Sequence, residues 1–195
     1  TNDGKWYKAK PTAKHLQFDA ASLEQNTKYL SARYNLNSPH AVYELPDLLR
    51  EISGIEIRDS SAVYCIQDEI GAVFEYDLAK NEVVKSHRFI DYGDFEDIAV
   101  DGSTAYILRS DGCLFACDLS GKLPAASHIF QFNSLNIEGL DYSDGYLYFA
   151  SKAPLLGKSE DERVIFKVKS DNYGKIEEYL VINRNELMKF IADNY

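Results

Sequence analysis

Eight side chains in this sequence have the types and spacing to do chemistry together. Glu96 and Glu138 stand at matching points of an internal repeat, and Asp94 and Asp97 flank the first of them. Asp68 and Glu69 come from an acidic turn, while Arg109 and Lys152 come from the later turns of the same kind. Carboxylates that converge repel one another unless positive charge sits among them. Calcium, which takes roughly six to eight oxygens in flexible geometry, suits such a group, so all six acids are candidate ligands. With a metal-held water the same group could attack a phosphate ester while Arg109 and Lys152 hold the oxyanion. A plainer use competes with both. A carboxylate at the start of a strand can accept backbone N–H bonds and hold neighbouring elements in register, and acids in turns are ordinary turn chemistry.

Other chemistries lack their residues. There is no Gly-x-Ser-x-Gly elbow, no phosphate-cradling glycine loop and no His-Glu-x-x-His helix. His15, His40, His87 and His128 are scattered and read as surface or strand-edge residues rather than general bases. Cys65, Cys113 and Cys117 lack C-x-x-C spacing and read as small buried hydrophobes. With 21 Lys and Arg against 31 Asp and Glu, the net charge of −10 disfavours nucleic acid and anionic membranes as partners. A small molecule, a cation or a protein fits better. No apolar run approaches the ~20 residues of a membrane-spanning helix.

The elements that must position these residues come in repeats. Ser53-Gly54-Ile55, Glu96-Asp97-Ile98 and Glu138-Gly139-Leu140 align at spacings of 43 and 42 residues. Each is followed by a second strand bearing Tyr64, Tyr106 or Tyr148. The string Gly-x-x-Phe-x-x-Asp-Leu then recurs at Gly71 to Leu78 and Gly112 to Leu119 as a third strand, and Glu82–Lys85 and Ala126–Phe130 read as fourth strands. Four antiparallel strands every ~42 residues is the period of a β-propeller blade, since one blade cannot bury both faces of its sheet alone. In the third unit a polar insertion, Ala153 to Glu162, precedes the strand Val164 to Val168, and Ile176 to Ile182 closes it. Residues 43–195 are thus expected to be an all-β, partial propeller of about 3.5 to 4 four-stranded blades with short helical segments. The tail from Asn185 to Ile191 has helical spacing, with Asn183 or Asn185 as cap. Residues 1–42 are basic and read as an N-terminal arm or leader, with a short helix capped by Ser22.

The succession Glu51-Ile52-Ser53-Gly54-Ile55, Asp68-Glu69-Ile70-Gly71, Gly93 to Ala99, Ser110-Asp111-Gly112, Asn136 to Leu140 and Ala150-Ser151-Lys152 resembles the SdiA-regulated, YjiK-like family of bacterial proteins over residues 43 to 182. The resemblance implies a six-bladed ring, of which this chain would lack about two blades. It also implies export or envelope association, as a periplasmic protein, a secreted one or a lipoprotein anchored upstream of Thr1. It further implies a link with calcium and, by fold likeness, with phytase-like hydrolases. Two positions depart from the family pattern: Asp97 replaces a glycine, and Ala153 follows Lys152 where a glycine is usual. The expected function is a binding or sensory module with calcium at an acidic channel mouth. The alternatives are a calcium-dependent phosphoesterase and a plain interaction scaffold. An open propeller edge is also expected to self-associate.

Overall fold

The structure, a computed structural model, describes residues 10–12, 15–17, 39–122, 127–132 and 136–194. The expected helix at residues 20–25 and most of the basic arm lie outside them. The chain divides into two compact units, one of residues 43–153 and 165–177, the other of residues 1–42, 154–164 and 178–195.

In chain order the strands are β1 (Lys10–Thr12), β2 (His15–Gln17), β3 (Ile52–Asp59), β4 (Ala62–Gln67), β5 (Ile70–Asp77), β6 (Glu82–Tyr92), β7 (Phe95–Asp101), β8 (Thr104–Arg109), β9 (Cys113–Asp118), β10 (Ser127–Gln131), β11 (Ile137–Ser143), β12 (Tyr146–Ser151), β13 (Glu162–Lys169) and β14 (Asn172–Asn183). A single 3-10 turn, Asp47–Leu49, precedes β3, and helix α1 (Arg184–Asn194) follows β14. Three sheets, β3–β6, β7–β10 and β11–β14, each have sequential neighbours as paired strands, which is the meander of a propeller blade. Among the described residues there are three such blades, fewer than the 3.5 to 4 expected. Residues beyond the third blade enter α1 instead, and the described part of the arm is the hairpin β1–β2 with residues 39–42, which form no helix or strand. In the smaller unit β2 lies parallel to the end of β14, with His15 opposite Val181.

The repeated string has a physical reading. Asp77 Oδ1 accepts the N–H groups of Ala79 and Lys80, both at 2.9 Å, and Asp118 Oδ1 accepts that of Ser120 at 3.0 Å. Each aspartate thus closes the turn after its third strand. Phe74 and Phe115 are buried. Gly71 lets β6 come close, because a Cβ there would lie 2.6 Å from the carbonyl oxygen of Ile90. At the other end of the chain, Asn183 Oδ1 accepts from the N–H groups of Asn185 and Glu186 at 3.0 and 3.2 Å, so Asn183 caps α1.

Successive blades meet through their first strands, β3 beside β7 and β7 beside β11. The principal core gathers Ile66, Val73 and Phe89 of the first blade with Phe95, Ile98, Ala105, Ile107 and Phe115 of the second. Burial of such side chains contributes about 1.5–3 kcal/mol each. The approach is closest at Gly54, where a Cβ would stand 2.9 Å from both Asp97 Oδ1 and the Ile98 nitrogen. Backbone cannot retreat as a flexible side chain can. Gly54→Ala is therefore expected to lower stability by about 1–3 kcal/mol in urea unfolding. Gly139→Ala, which would meet only the Ala150 side chain at 3.0 Å, should cost less.

Candidate functional site

The site is built on a defect that recurs in all three blades. In β3, Ile52 pairs with Gln67 and Gly54 with Ile66. In β7, Phe95 pairs with Arg109 and Asp97 with Leu108. In β11, Ile137 pairs with Ser151 and Gly139 with Ala150. Ser53, Glu96 and Glu138 are the extra, unpaired residues of three equivalent β-bulges. A bulge bends its strand and re-aims the side chain it carries. The repeat predicted that these three positions are equivalent; the bulge is what turns them out of the sheet.

Around the bulges runs a thread of backbone hydrogen bonds. The Asp68 N–H donates to the Glu51 carbonyl at 2.9 Å, Phe95 to Asp68 at 2.8 Å, Ser110 to Asp94 at 2.8 Å, Asn136 to Ser110 at 3.3 Å and Lys152 to Asn136 at 2.9 Å. Bonds within a blade alternate with bonds to the next. The thread brings the loops after the second strands to the starts of the first strands, as the propeller reading requires. Gln67, buried, shapes the first of these loops by accepting from the N–H groups of Glu69 and Ile70 at 3.0 and 2.6 Å.

Five of the six candidate acids come together, Glu96, Glu138, Asp94 and Asp68 as one group and Glu69 beside Asp68. Burial pushes the Glu96 carboxyl up, and the charges of Glu138, Asp94 and Asp68 push it further, to about 7, with Lys152 opposing them. Asp68 is likewise raised, by burial first and then by the charge of Asp94 and a hydrogen bond to it. Lys152 Nζ lies 2.6 Å from Glu138 Oε1, and this pair raises the lysine. Glu69 is exposed and its carbonyl accepts from Gly93 at 3.1 Å, while its charge also helps to raise Asp68. Glu51 joins the acidic group as a neighbour of Asp68. Its place in the repeat, 43 residues before Asp94, was the signal that could have found it.

Asp97 does something else. Its Oδ2 accepts the N–H of Leu140 on β11 at 2.7 Å, and its Oδ1 accepts that of Ile98 at 2.9 Å. It braces the second blade against the third. Burial nevertheless raises its carboxyl, outweighing the two N–H bonds. Arg109 is also committed: Nε and Nη2 donate to Asp111 at 3.0 and 2.7 Å, Nη2 lies 3.2 Å from Cys113 Sγ, and the guanidinium sits 5.2 Å over the Phe115 ring. Asp111 is held down to about 2 by that guanidinium. Arg109 is thus a fixture of its own turn rather than an oxyanion binder at the mouth. Among the described residues no three acidic, histidine or cysteine side chains converge closely enough to hold a metal ion. The donors are of the hard oxygen type calcium prefers, but their spread does not fit an enclosed calcium site.

One buried polar group was missed from the sequence. His87 is buried, with Nε2 2.9 Å from Glu75 Oε1, and Arg58 Nη1 donates to Glu75 Oε2 at 2.9 Å. Burial works to raise Glu75, yet the His87 hydrogen bond and charge, with Lys85 and Arg58, hold it low. His87 lies on the edge strand β6, one of the places expected, but it is buried there as the partner of a carboxylate and is not a surface residue.

No known protein family and no curated protein matches the sequence. Among solved structures the chain is similar to one in the crystal structure of a nidogen/laminin complex, at 18% identity and a TM-score of 0.50 over 65% of this chain and 47% of that one. It is similar also to glutaminyl cyclase of Myxococcus xanthus, at 13% identity and a TM-score of 0.50 over 74% of this chain and 57% of the other. The chain spans about half the length of these structures. Likeness at this identity shows a propeller-like fold and no more.

Two outcomes follow. Glu96 is raised from its ordinary 4.5 to about 7, so the folded state binds more protons than the unfolded between those values, and stability must fall as pH rises through that window. Thermal melts should show this decline, and Glu96→Gln should flatten it and be the more stable protein at pH 8. Asp97→Ala strands the Leu140 N–H and should cost about 1–3 kcal/mol in denaturant unfolding, with Asp97→Asn, which keeps an acceptor oxygen, costing less.

Proposed function

We propose that this chain is a non-enzymatic binding module of the propeller type whose bulged strand ends recognise a positively charged group. The supporting observation is that two bulge residues, Glu96 and Glu138, project beside Asp94 and Asp68, with the Lys152 ammonium resting on Glu138. The reading draws support from Lys152, whose ammonium rests 2.6 Å from Glu138 Oε1 at this face. An ammonium or guanidinium of a ligand, or a hard divalent ion, would take the same place. A calcium ion would be bound here at an open face, with Glu96 and Glu138 as its first ligands, rather than caged. The bacterial envelope location rests on the family resemblance alone and belongs to the same proposal.

Hydrolysis has less support, because Arg109 is occupied by Asp111 and Lys152 by Glu138. Neither is left to neutralise a phosphoryl group without first breaking an ion pair.

Thermal unfolding with calcium, magnesium, an alkylammonium and an alkylguanidinium salt tests the reading, since a ligand that binds only the folded state raises the midpoint with concentration. At least one of these cations is expected to raise it, more at pH 8 than at pH 6, because Glu96 must ionise first. Glu96→Gln and Glu138→Gln should abolish the rise, and Lys152→Met, which removes the resident competitor, should strengthen it. A midpoint that no cation moves would reduce these carboxylates to structural braces.

A further inference from the structure

The face that the first blade turns to the second carries a charged group inside the joint. Val73 and Phe89 of this face share a core with Ile98, Ala105, Cys117 and Leu119 of the second blade. Side chains two residues apart on a strand point the same way, so Glu75 of β5 and Lys85 and His87 of β6 lie on this face too. Glu75 and His87 are 9% and 8% exposed. Glu75 Oε1 lies 2.9 Å from His87 Nε2 and 3.9 Å from Lys85 Nζ, and Oε2 accepts from Arg58 Nη1 at 2.9 Å. Asp59 is the second partner of Arg58, 2.8 Å from its Nε. Burial raises the Tyr64 hydroxyl and the Glu75 charge raises it further, which places the phenol of β4 by the same carboxylate. The second blade answers with the apolar side chains of its core and with the Leu119 carbonyl, 3.5 Å from Lys85 Nζ.

The next joint fills the same places differently. Measured from the repeated Gly71 and Gly112, Glu75 corresponds to Ala116. His87 corresponds to Phe130, since the one pairs with Val73 and the other with the equivalent Leu114. Phe130 packs on Phe132, Phe149 and Tyr173, with ring centroids 5.2, 6.2 and 5.9 Å away. Packing alone therefore does not call for charge at this position, and a buried ion pair rarely holds a fold better than apolar groups of like size. What the charged pair adds is sensitivity to protons. We propose that the joint between the first and second blades is released by acid: when Glu75 takes a proton, His87 loses its counter-charge and the two blades part there.

Exposure decides which cation is stranded. Arg58 and Lys85 reach water, with side chains 33% and 50% exposed, but that of His87 is 6% exposed. An imidazole in water is charged at any pH low enough to protonate a carboxyl. A neutral Glu75 thus leaves a buried cation with nothing opposite it, and parting lets in the water it needs. The carboxyl gives the same sign. Burial works to raise Glu75, yet His87, Lys85 and Arg58 hold it below its ordinary 4.5. A depressed carboxyl contributes stability that is present above its ordinary value and lost as pH falls through the folded one. Opening reaches the acidic mouth, because the Phe95 N–H donates across this joint to the Asp68 carbonyl at 2.8 Å.

The chain's own cysteines report the joint. Cys117, 2% exposed, belongs to the core between the two blades, whereas Cys65, fully buried, packs with Leu49, Phe74 and Tyr76 on the other face of the first blade. Both are labelled with a pyridyl disulfide, which reacts with thiols in acid, and each rate is taken relative to the unfolded chain. Between pH 6 and pH 3.5 Cys117 is expected to gain on Cys65 by about tenfold, the factor for a one-unit shift of a single carboxyl. The Phe95 amide should lose its protection from hydrogen exchange over the same range. Glu75→Ala with His87→Phe, which copies the second joint, should leave Cys117 equally protected at both pH values. Glu75→Gln, which never supplies the counter-charge, should move the rise to higher pH. A Cys117 that gains nothing on Cys65 in acid overturns the proposal, as does a double variant that opens like the wild type. Should the double variant not fold, the wild type and Glu75→Gln decide, and a rise that Glu75→Gln leaves at the same pH overturns it.

Discussion

Everything at this face hangs on the zigzag of main-chain bonds from Glu51 to Lys152. Each blade must bring the loop after its second strand back to the start of its first strand, and the next blade must take up the carbonyl left over. Asp68 and Ser110 do both at once, donating within their blade and accepting from the following one. Because these are main-chain groups, the arrangement tolerates any side chain that can adopt the local conformation. The residues strung along it are therefore available for other purposes, and in this chain three of the seven, Glu51, Asp68 and Asp94, are acidic. Close packing sets the limit to that freedom. Gly54 has no side chain because Asp97 and its backbone fill the space, and the Asp97 carboxylate in turn reaches Leu140 on the far side. One short span of backbone thus holds three blades in line.

The fold was readable to the extent that it repeats. Matching tripeptides at Ser53, Glu96 and Glu138, matching tyrosines, and the string ending at Asp77 and Asp118 each mark a strand or a turn, and periodicity carries information about a blade that a single strand does not. The convergence of Glu96, Glu138, Asp94 and Asp68 followed from that alignment. What escaped was set by cross-strand register and local geometry. That Arg109 pairs with Asp111, two residues on, depends on the turn between β8 and β9. That His87 meets Glu75 depends on how β6 lies against β5. The extra carboxylate at Asp97 read as one more ligand; one residue past the bulge it faces a neighbouring strand instead of the mouth. A count of blades from residue number also overran, because the third blade spends residues on an insertion and a long last strand.

Electrostatically the mouth is a compromise. Four carboxylates with a single nearby ammonium cannot all be ionised at low cost, and the structure resolves this by placing one proton's worth of uncertainty on Glu96 near neutrality. The rest of the negative charge is dispersed over turns, where Asp59, Asp77 and Asp118 are satisfied by nearby N–H and hydroxyl donors. The net charge of −10 is therefore not itself a signature of the site.

The bulge positions have an evolutionary corollary. A residue that stands outside the ladder owes nothing to its pairing partner, so Ser53, Glu96 and Glu138 can be exchanged without disturbing the strand they interrupt. The serine already shows that the first blade folds with an uncharged residue there. Blades of this design offer one interchangeable position each, and the charge of the mouth is set in part by what stands there. A single codon there can change the charge of the mouth, and with it the pH dependence that Glu96 imposes, while the strand pairing stays as it was.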